Sequence, residues 1–135
     1  MAVACLNMSI VVTVPYYNES EGILETLEDI NNQQHRADKV IFVDSGSTDN
    51  TSDIINDWII RNNKKNYENV FSGKMSPSTS INTAIELSDE DLIAYIDCGL
   101  SIPSDWILTS IKLIEKSNAD MISTMIYTNG HNKID

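Results

Sequence analysis

The sequence predicts an α/β fold of three layers, a mainly parallel sheet with helices on both faces. Two observations predict it. Short, β-branched, nearly all-apolar runs alternate with stretches whose apolar residues recur at helical spacing. Three of the apolar runs also end in acidic, aromatic or turn-forming residues, as ligand-binding strands of parallel sheets do.

The elements follow in order. Residues 9–14 (S-I-V-V-T-V) suit a strand buried on both faces, with Pro15 as its expected end. Over residues 21–33, Ile23, Leu24, Leu27 and Ile30 fall on one helical face, with Ser20 the expected N-cap. Residues 39–43 form a second apolar strand, and Ile54, Ile55, Trp58 and Ile59 mark a second helix. A short third strand is expected at residues 69–71. A loop over residues 73–80 then enters a helix with Ile81, Ala84 and Ile85 facing inward. Residues 92–96 read as a fourth strand. Pro103 and Ser104 open a helix burying Trp106, Ile107, Ile111 and Ile114, and residues 120–127 read as a last strand. This β-α-β-α-β-α-β-α-β order implies parallel pairing through crossover helices. No repeat or linker interrupts it, so residues 1–135 read as a single domain.

Composition narrows the partners. The net charge is −11, from 20 acidic and 9 basic residues. Nucleic acid and anionic membrane surfaces call for a basic face, so neither is expected. No apolar stretch approaches the ~20 residues of a membrane span, and the N-terminus lacks the basic region of a signal peptide. Two cysteines, Cys5 and Cys98, suggest no disulfide framework, and the expected location is the cytoplasm.

The chemistry gathers at the strand ends. After the first strand comes P-Y-Y-N-E at residues 15–19, after the second D-S-G-S-T-D-N-T at residues 44–51, and after the fourth D-C-G at residues 97–99. Taken singly, each could be ordinary strand-to-helix turn chemistry. Gly46 permits a tight turn, and Ser47, Thr48 and Asp49 can cap the next helix. Three such motifs at one sheet edge point instead to a ligand that needs hydrogen-bond acceptors. The acidic run at residues 88–91 is expected at the opposite edge, as a solvated turn. Trp58 and Trp106 are expected to pack rather than stack on a ligand.

These motifs resemble those of the family 2 glycosyltransferases. V-P-Y-Y-N-E at residues 14–19 is similar to the family's V-P-x-Y-N-E, and V-D-S-G-S-T-D-N-T at residues 43–51 to its V-D-D-G-S-T-D-x-T. S-I-N-T-A-I at residues 80–85 is similar to A-R-N-x-G-I, and residues 94–106 resemble the segment carrying the D-x-D motif. The resemblance covers about residues 8–127. It implies the GT-A fold, a Rossmann-like nucleotide-diphospho-sugar transferase architecture, here lacking its C-terminal, acceptor-binding half.

The resemblance implies a nucleotide-binding set. Pro15 and Tyr17 line the base pocket, Glu19 reaches the base or ribose, and Asp44 accepts the base N–H. Ser47 is counted with them, Asn82 holds the adjoining loop, and Asp97 contacts the ribose or a metal-bound diphosphate. The implied donor is a UDP- or dTDP-sugar, transferred with inversion to an unknown acceptor in polysaccharide biosynthesis. The family's last D-x-D position is Gly99 here, so Asp97 alone implies a weak Mg²⁺ or Mn²⁺ site, such ions preferring hard oxygen ligands. Lys74 is the candidate cation for the diphosphate, against the alternative of a solvated loop lysine. The catalytic base is unassigned, since the family carries it beyond the end of this chain. An uncovered last strand further predicts self-association or contact with a partner segment. The alternative function is a non-catalytic nucleotide-binding or docking module. A phosphotransferase of the haloacid dehalogenase type fails on its D-x-D requirement, and a receiver domain on Pro15 and Tyr16 in place of an acidic pair.

Overall fold

The computed structural model describes residues 7–74 and 76–124. Four strands, β1 (Ile10–Tyr16), β2 (Lys39–Asp44), β3 (Tyr67–Phe71) and β4 (Leu92–Tyr95), alternate with α1 (Ile23–Asn31), α2 (Thr51–Arg61), α3 (Pro77–Glu86) and α4 (Trp106–Ser117). The strands form one all-parallel sheet in the order β3-β2-β1-β4. The chain winds outward from β1 to β3, then crosses to the other side of β1. The strand order therefore switches between β1 and β4, where parallel sheets open a ligand crevice.

The two faces are unequal. Val12, Val14, Val40 and Phe42 meet Ile23, Leu27 and Ile30 of α1, Ile55 and Trp58 of α2, and Ile107 and Ile111 of α4. Among the described residues, only α3 covers the other face, where Ala84 joins Val11, Ile41 and Val43. β1 and β2 are buried on both sides, which explains their unbroken apolar runs. Gln33 joins α1 to α4: its Oε1 accepts the Ile107 N–H at 3.0 Å, and its Nε2 donates to the Pro103 carbonyl at 2.8 Å. Asp29 accepts the Ile102 N–H at 3.0 Å. The segment after β4 is thus held down on α1.

Several expectations are corrected. β1 continues through Pro15 to Tyr16, with Pro15 opposite Val43. Alternation along the strand turns the Pro15 nitrogen toward β4, but the β1–β4 ladder already ends at Thr13 and Tyr95, so no bond is lost. Gly22, not Ser20, is the N-cap of α1, because a turn in which the Gly22 and Ile23 N–H groups donate to the Glu19 carbonyl separates Ser20 from the helix. Leu24 and Ile85 are exposed, each at the edge of its helix's apolar face. Residues 121–124 form no strand, and residues 125–127 of that expected strand lie outside the described residues. On β4, Ile93 and Tyr95 are 45% and 40% exposed on the face α3 leaves bare. The acidic turn lies at the far end of the sheet, where Asp91 accepts the Ser9 N–H at 2.9 Å.

Candidate functional site

A cleft of about 690 Å³ opens at the carboxyl ends of β1, β2 and β4, a size that suits a small ligand. Pro15, Tyr17, Glu19, Ser45, Lys74 and Asp97 line it, together with Tyr16, Tyr95 and Cys98. It sits at the strand-order switch.

Much of the motif sequence builds this cleft rather than facing it. Asn18, in the left-handed conformation at φ 51°, accepts the N–H of Thr48 at 2.8 Å and that of Asp49 at 3.3 Å. Its own N–H donates to Ser47 Oγ at 3.0 Å. The Glu19 N–H donates to Thr51 Oγ1 at 2.9 Å, and Thr51 Oγ1 donates to Asp49 Oδ1 at 2.6 Å. The β1–α1 and β2–α2 loops are therefore laced together by N-E and S-T-D-N-T. The Thr51 hydroxyl is also the main reason the Asp49 carboxyl titrates below its usual range.

Asp44 is buried at the end of β2, and its Oδ1 accepts the N–H groups of Gly46 at 3.1 Å and Ser47 at 2.8 Å. Gly46 has φ +100°, and a Cβ there would fall 3.2 Å from Lys74 Cα. Glycine is thus required both by the backbone and by the close passage of the β3–α3 loop. That loop is tied down at Ser72, whose N–H and Oγ each donate to the Asp44 carbonyl at 3.0 Å. This packing carries the exposed Lys74 to the cleft wall.

On the opposite wall, the Tyr95 hydroxyl donates to Asp97 Oδ1. Burial chiefly, with this hydrogen bond and the carboxylate charge, pushes the Tyr95 phenol up to about 12. Burial likewise pushes the Cys98 thiol up to about 11, a hydrogen bond with Thr26 opposing it and the Glu19 charge adding to it. Cys98 is therefore a protonated thiol at neutral pH, and its soft sulfur is a poor match for Mg²⁺ or Mn²⁺.

Of the residues expected from the sequence, the cleft gathers Pro15, Tyr17, Glu19, Lys74 and Asp97. Asp44 and Ser47 stand behind it as turn and loop residues, and Asn82 is exposed on α3, outside the lining. Tyr95, Ser45 and Tyr16 were missed. The alternation of β4 is the signal for Tyr95, since residues 95 and 97 point to one side.

A family model for glycosyl transferase family 2 matches residues 11–134. The chain belongs to this family. The glycosyltransferase GlyG of Streptococcus pneumoniae is 26% identical over 82% of this chain and 36% of its own length. The poly(ribitol-phosphate) beta-glucosyltransferase of Bacillus spizizenii is 29% identical over 84% of this chain and 18% of its own. The mannosyltransferase PcManGT of Pyrobaculum calidifontis, solved with GDP-Man and Mn²⁺, superposes with a TM-score of 0.75 at 26% identity, covering 79% of this chain and 32% of that one. TarS 1-349 of S. aureus in complex with UDP-GlcNAc superposes at 0.72 with 24% identity, over 84% of this chain and 33% of that one. The parallel sheet is thus that of the GT-A glycosyltransferases. The chain spans about a third or less of the length of each of these proteins.

No group of three or more His, Cys, Asp or Glu side chains is set to hold a metal among the described residues. Asp97 is one hard oxygen donor. A Cβ built on Gly99 would lie 3.5 Å from Glu19 Oε2, an ordinary contact distance. Glu19 and Asp97 both line the cleft, and their carboxylate oxygens are the hard donors that Mg²⁺ or Mn²⁺ takes.

Among the described residues, no helix is long and apolar enough to cross a membrane.

Proposed function

We propose that this chain is the donor-binding part of a glycosyltransferase that takes a UDP- or dTDP-sugar. The observation that carries the reading is the cleft at the β1–β4 switch, which gathers the aromatic Tyr16, Tyr17 and Tyr95 together with Lys74 and Asp97. Tyr17 is 55% exposed at the cleft, free to lie against a planar base beside Pro15. Asp44 keeps a carboxylate buried at the end of β2, suited to accept a base N–H, while Ser47 Oγ accepts the Asn18 N–H and supports the neighbouring loop. Lys74 is the cation for the diphosphate.

The chemistry follows from this assignment. Displacing a nucleoside diphosphate from the anomeric carbon puts negative charge on the leaving phosphate. When bound, a divalent cation supplies Lewis-acid stabilisation of that charge. Lys74 and the cleft walls orient the donor, and the acceptor approaches from the open side. The acceptor and its base belong to residues beyond this donor site, and inversion is part of the same reading. Among the described residues β4 is an edge strand with one exposed face, which supports pairing there with a further segment or a second copy.

Calorimetric titration with UDP, dTDP and GDP, each with Mn²⁺, tests the donor class. The expected result is binding of UDP and dTDP at least tenfold tighter than of GDP. Preference for GDP overturns the donor assignment. Binding without acceptor-dependent turnover in a longer chain favours the non-catalytic module.

A further inference from the structure

We propose that Ser45 accepts the ribose 2′-hydroxyl of the nucleotide, and so narrows the donor to a UDP-sugar over a dTDP-sugar. The inference rests on the donor-site reading and deepens it, giving a specificity role to a cleft residue that the sequence motifs did not single out.

The direction of a hydroxyl chain behind the cleft carries it. Ser45 Oγ lies 2.7 Å from Ser80 Oγ, and Ser80 Oγ lies 3.4 Å from Ser72 Oγ. Ser72 Oγ in turn donates to the Asp44 carbonyl at 3.0 Å. Each hydroxyl has one proton to give and two lone pairs to accept with. A carbonyl only accepts, so the Ser72 proton goes there. Ser80 then donates to Ser72, and Ser45 to Ser80. No other direction serves all three contacts. Ser80 is fully buried on α3, so water does not compete for its proton. Ser45 lines the cleft and is half-buried. It therefore offers a ligand lone pairs and no proton, and selects for a hydrogen-bond donor.

The identity of that donor follows from where Ser45 sits. In UDP the ionised diphosphate has no donor. Uracil has a single N–H, which Asp44 takes in the donor-site reading, and the ribose has two hydroxyls. Ser45 lies between Asp44, read as the base partner, and the loop that brings Lys74, read as the diphosphate partner. Gly46, the next residue, packs so closely on that loop that a Cβ would fall 3.2 Å from Lys74 Cα. Ribose holds the same middle place in the nucleotide. Its 2′-hydroxyl is on the carbon next to the one bearing the base, and so is the nearer of the two to an acceptor beside Asp44. The Ser45 N–H donates to the Tyr16 carbonyl at 3.0 Å, which fixes the backbone that carries this hydroxyl. A deoxynucleotide such as dTDP leaves the acceptor unpaired, at a cost in affinity.

Calorimetric titration of the full chain with UDP, 2′-deoxy-UDP and 3′-deoxy-UDP, all with Mn²⁺, is the test, repeated on Ser45→Ala. The wild-type chain is expected to bind UDP about fivefold tighter than 2′-deoxy-UDP, the scale of one neutral hydrogen bond. In Ser45→Ala that preference falls to within about twofold, because the variant loses affinity for UDP and keeps it for 2′-deoxy-UDP. The 3′-deoxy penalty, whatever its size, is the same in both proteins. Ser45→Cys, of similar size but a weak acceptor, is the second variant should circular dichroism find Ser45→Ala unfolded. A purely structural role for Ser45 would weaken all three ligands together, and that result overturns the proposal. So does a 2′-deoxy penalty that survives in the variant, or a 3′-deoxy penalty that disappears there. Equal wild-type binding of UDP and 2′-deoxy-UDP also overturns it while leaving the donor site standing. Failure to bind any of the three removes the donor reading and this proposal together.

Discussion

Asp44→Ala is expected to weaken UDP binding by at least 30-fold and to lower stability by about 2–3 kcal/mol, the scale of two lost hydrogen bonds to a charged group. The stability loss comes from Oδ1, which accepts the Gly46 and Ser47 N–H groups and holds the β2–α2 turn. The binding loss has two sources, the collapse of that turn and the removal of the acceptor for the base. Asp44→Asn separates them. Asparagine keeps an oxygen for the turn but presents an amide N–H₂ to the base, donor against donor. Its thermal midpoint is expected within a few degrees of wild type, while UDP binding falls at least tenfold. Calorimetry and thermal melts on both variants check this. Wild-type affinity in Asp44→Asn would reduce Asp44 to a turn residue.

Phe42→Ala is expected to destabilise the fold by about 3–5 kcal/mol, the usual range for truncating a buried aromatic. Phe42 has no exposed surface and sits in the middle of β2, flanked by β1 and β3. Its ring lies 6.4 Å from that of Tyr67, which in turn meets Trp58 at 5.7 Å. The substitution opens a cavity where the sheet, α1 and α2 converge, and a four-stranded sheet has little room to collapse around it. Against a typical stability of about 5–15 kcal/mol, that loss leaves a large unfolded fraction near 37 °C. Phe71→Ala is the control: Phe71 is 74% exposed on β3 and is expected to change stability by about 0.5 kcal/mol or less. Urea melts of the pair measure the difference, and equal midpoints would contradict the described core.

The central part of the fold was legible because it is periodic. β1 and β2 are buried on both faces, so their apolar runs are continuous and unambiguous. β4 was legible too, expected at residues 92–96 and found at Leu92–Tyr95, although half-buried and exposed residues alternate along it. Pro15 misled because a proline usually ends a strand. Here the tolerance depends on where the β1–β4 ladder stops, which is a tertiary fact. In the site, the motifs marked the correct sheet edge. They did not say which residues face a ligand and which tie loops together. Asn18, Asp49 and Thr51 spend their polar groups on the neighbouring loop, and only the three-dimensional pairing reveals it. The contact between Glu19 and position 99 spans 80 residues of sequence, and no spacing rule reports it.

The claim that the ends of β1, β2 and β4 form a nucleotide site is tested most directly by amide NMR spectra of the ¹⁵N-labelled chain titrated with UDP and Mg²⁺, a diamagnetic stand-in for Mn²⁺. The prediction is a set of shifted amides confined to Tyr17, Glu19, Ser45, Gly46, Asp97 and their neighbours. Residues 88–91 at the opposite end of the sheet stay unmoved. Unshifted spectra at millimolar UDP, or shifts gathered at that opposite end, would contradict it.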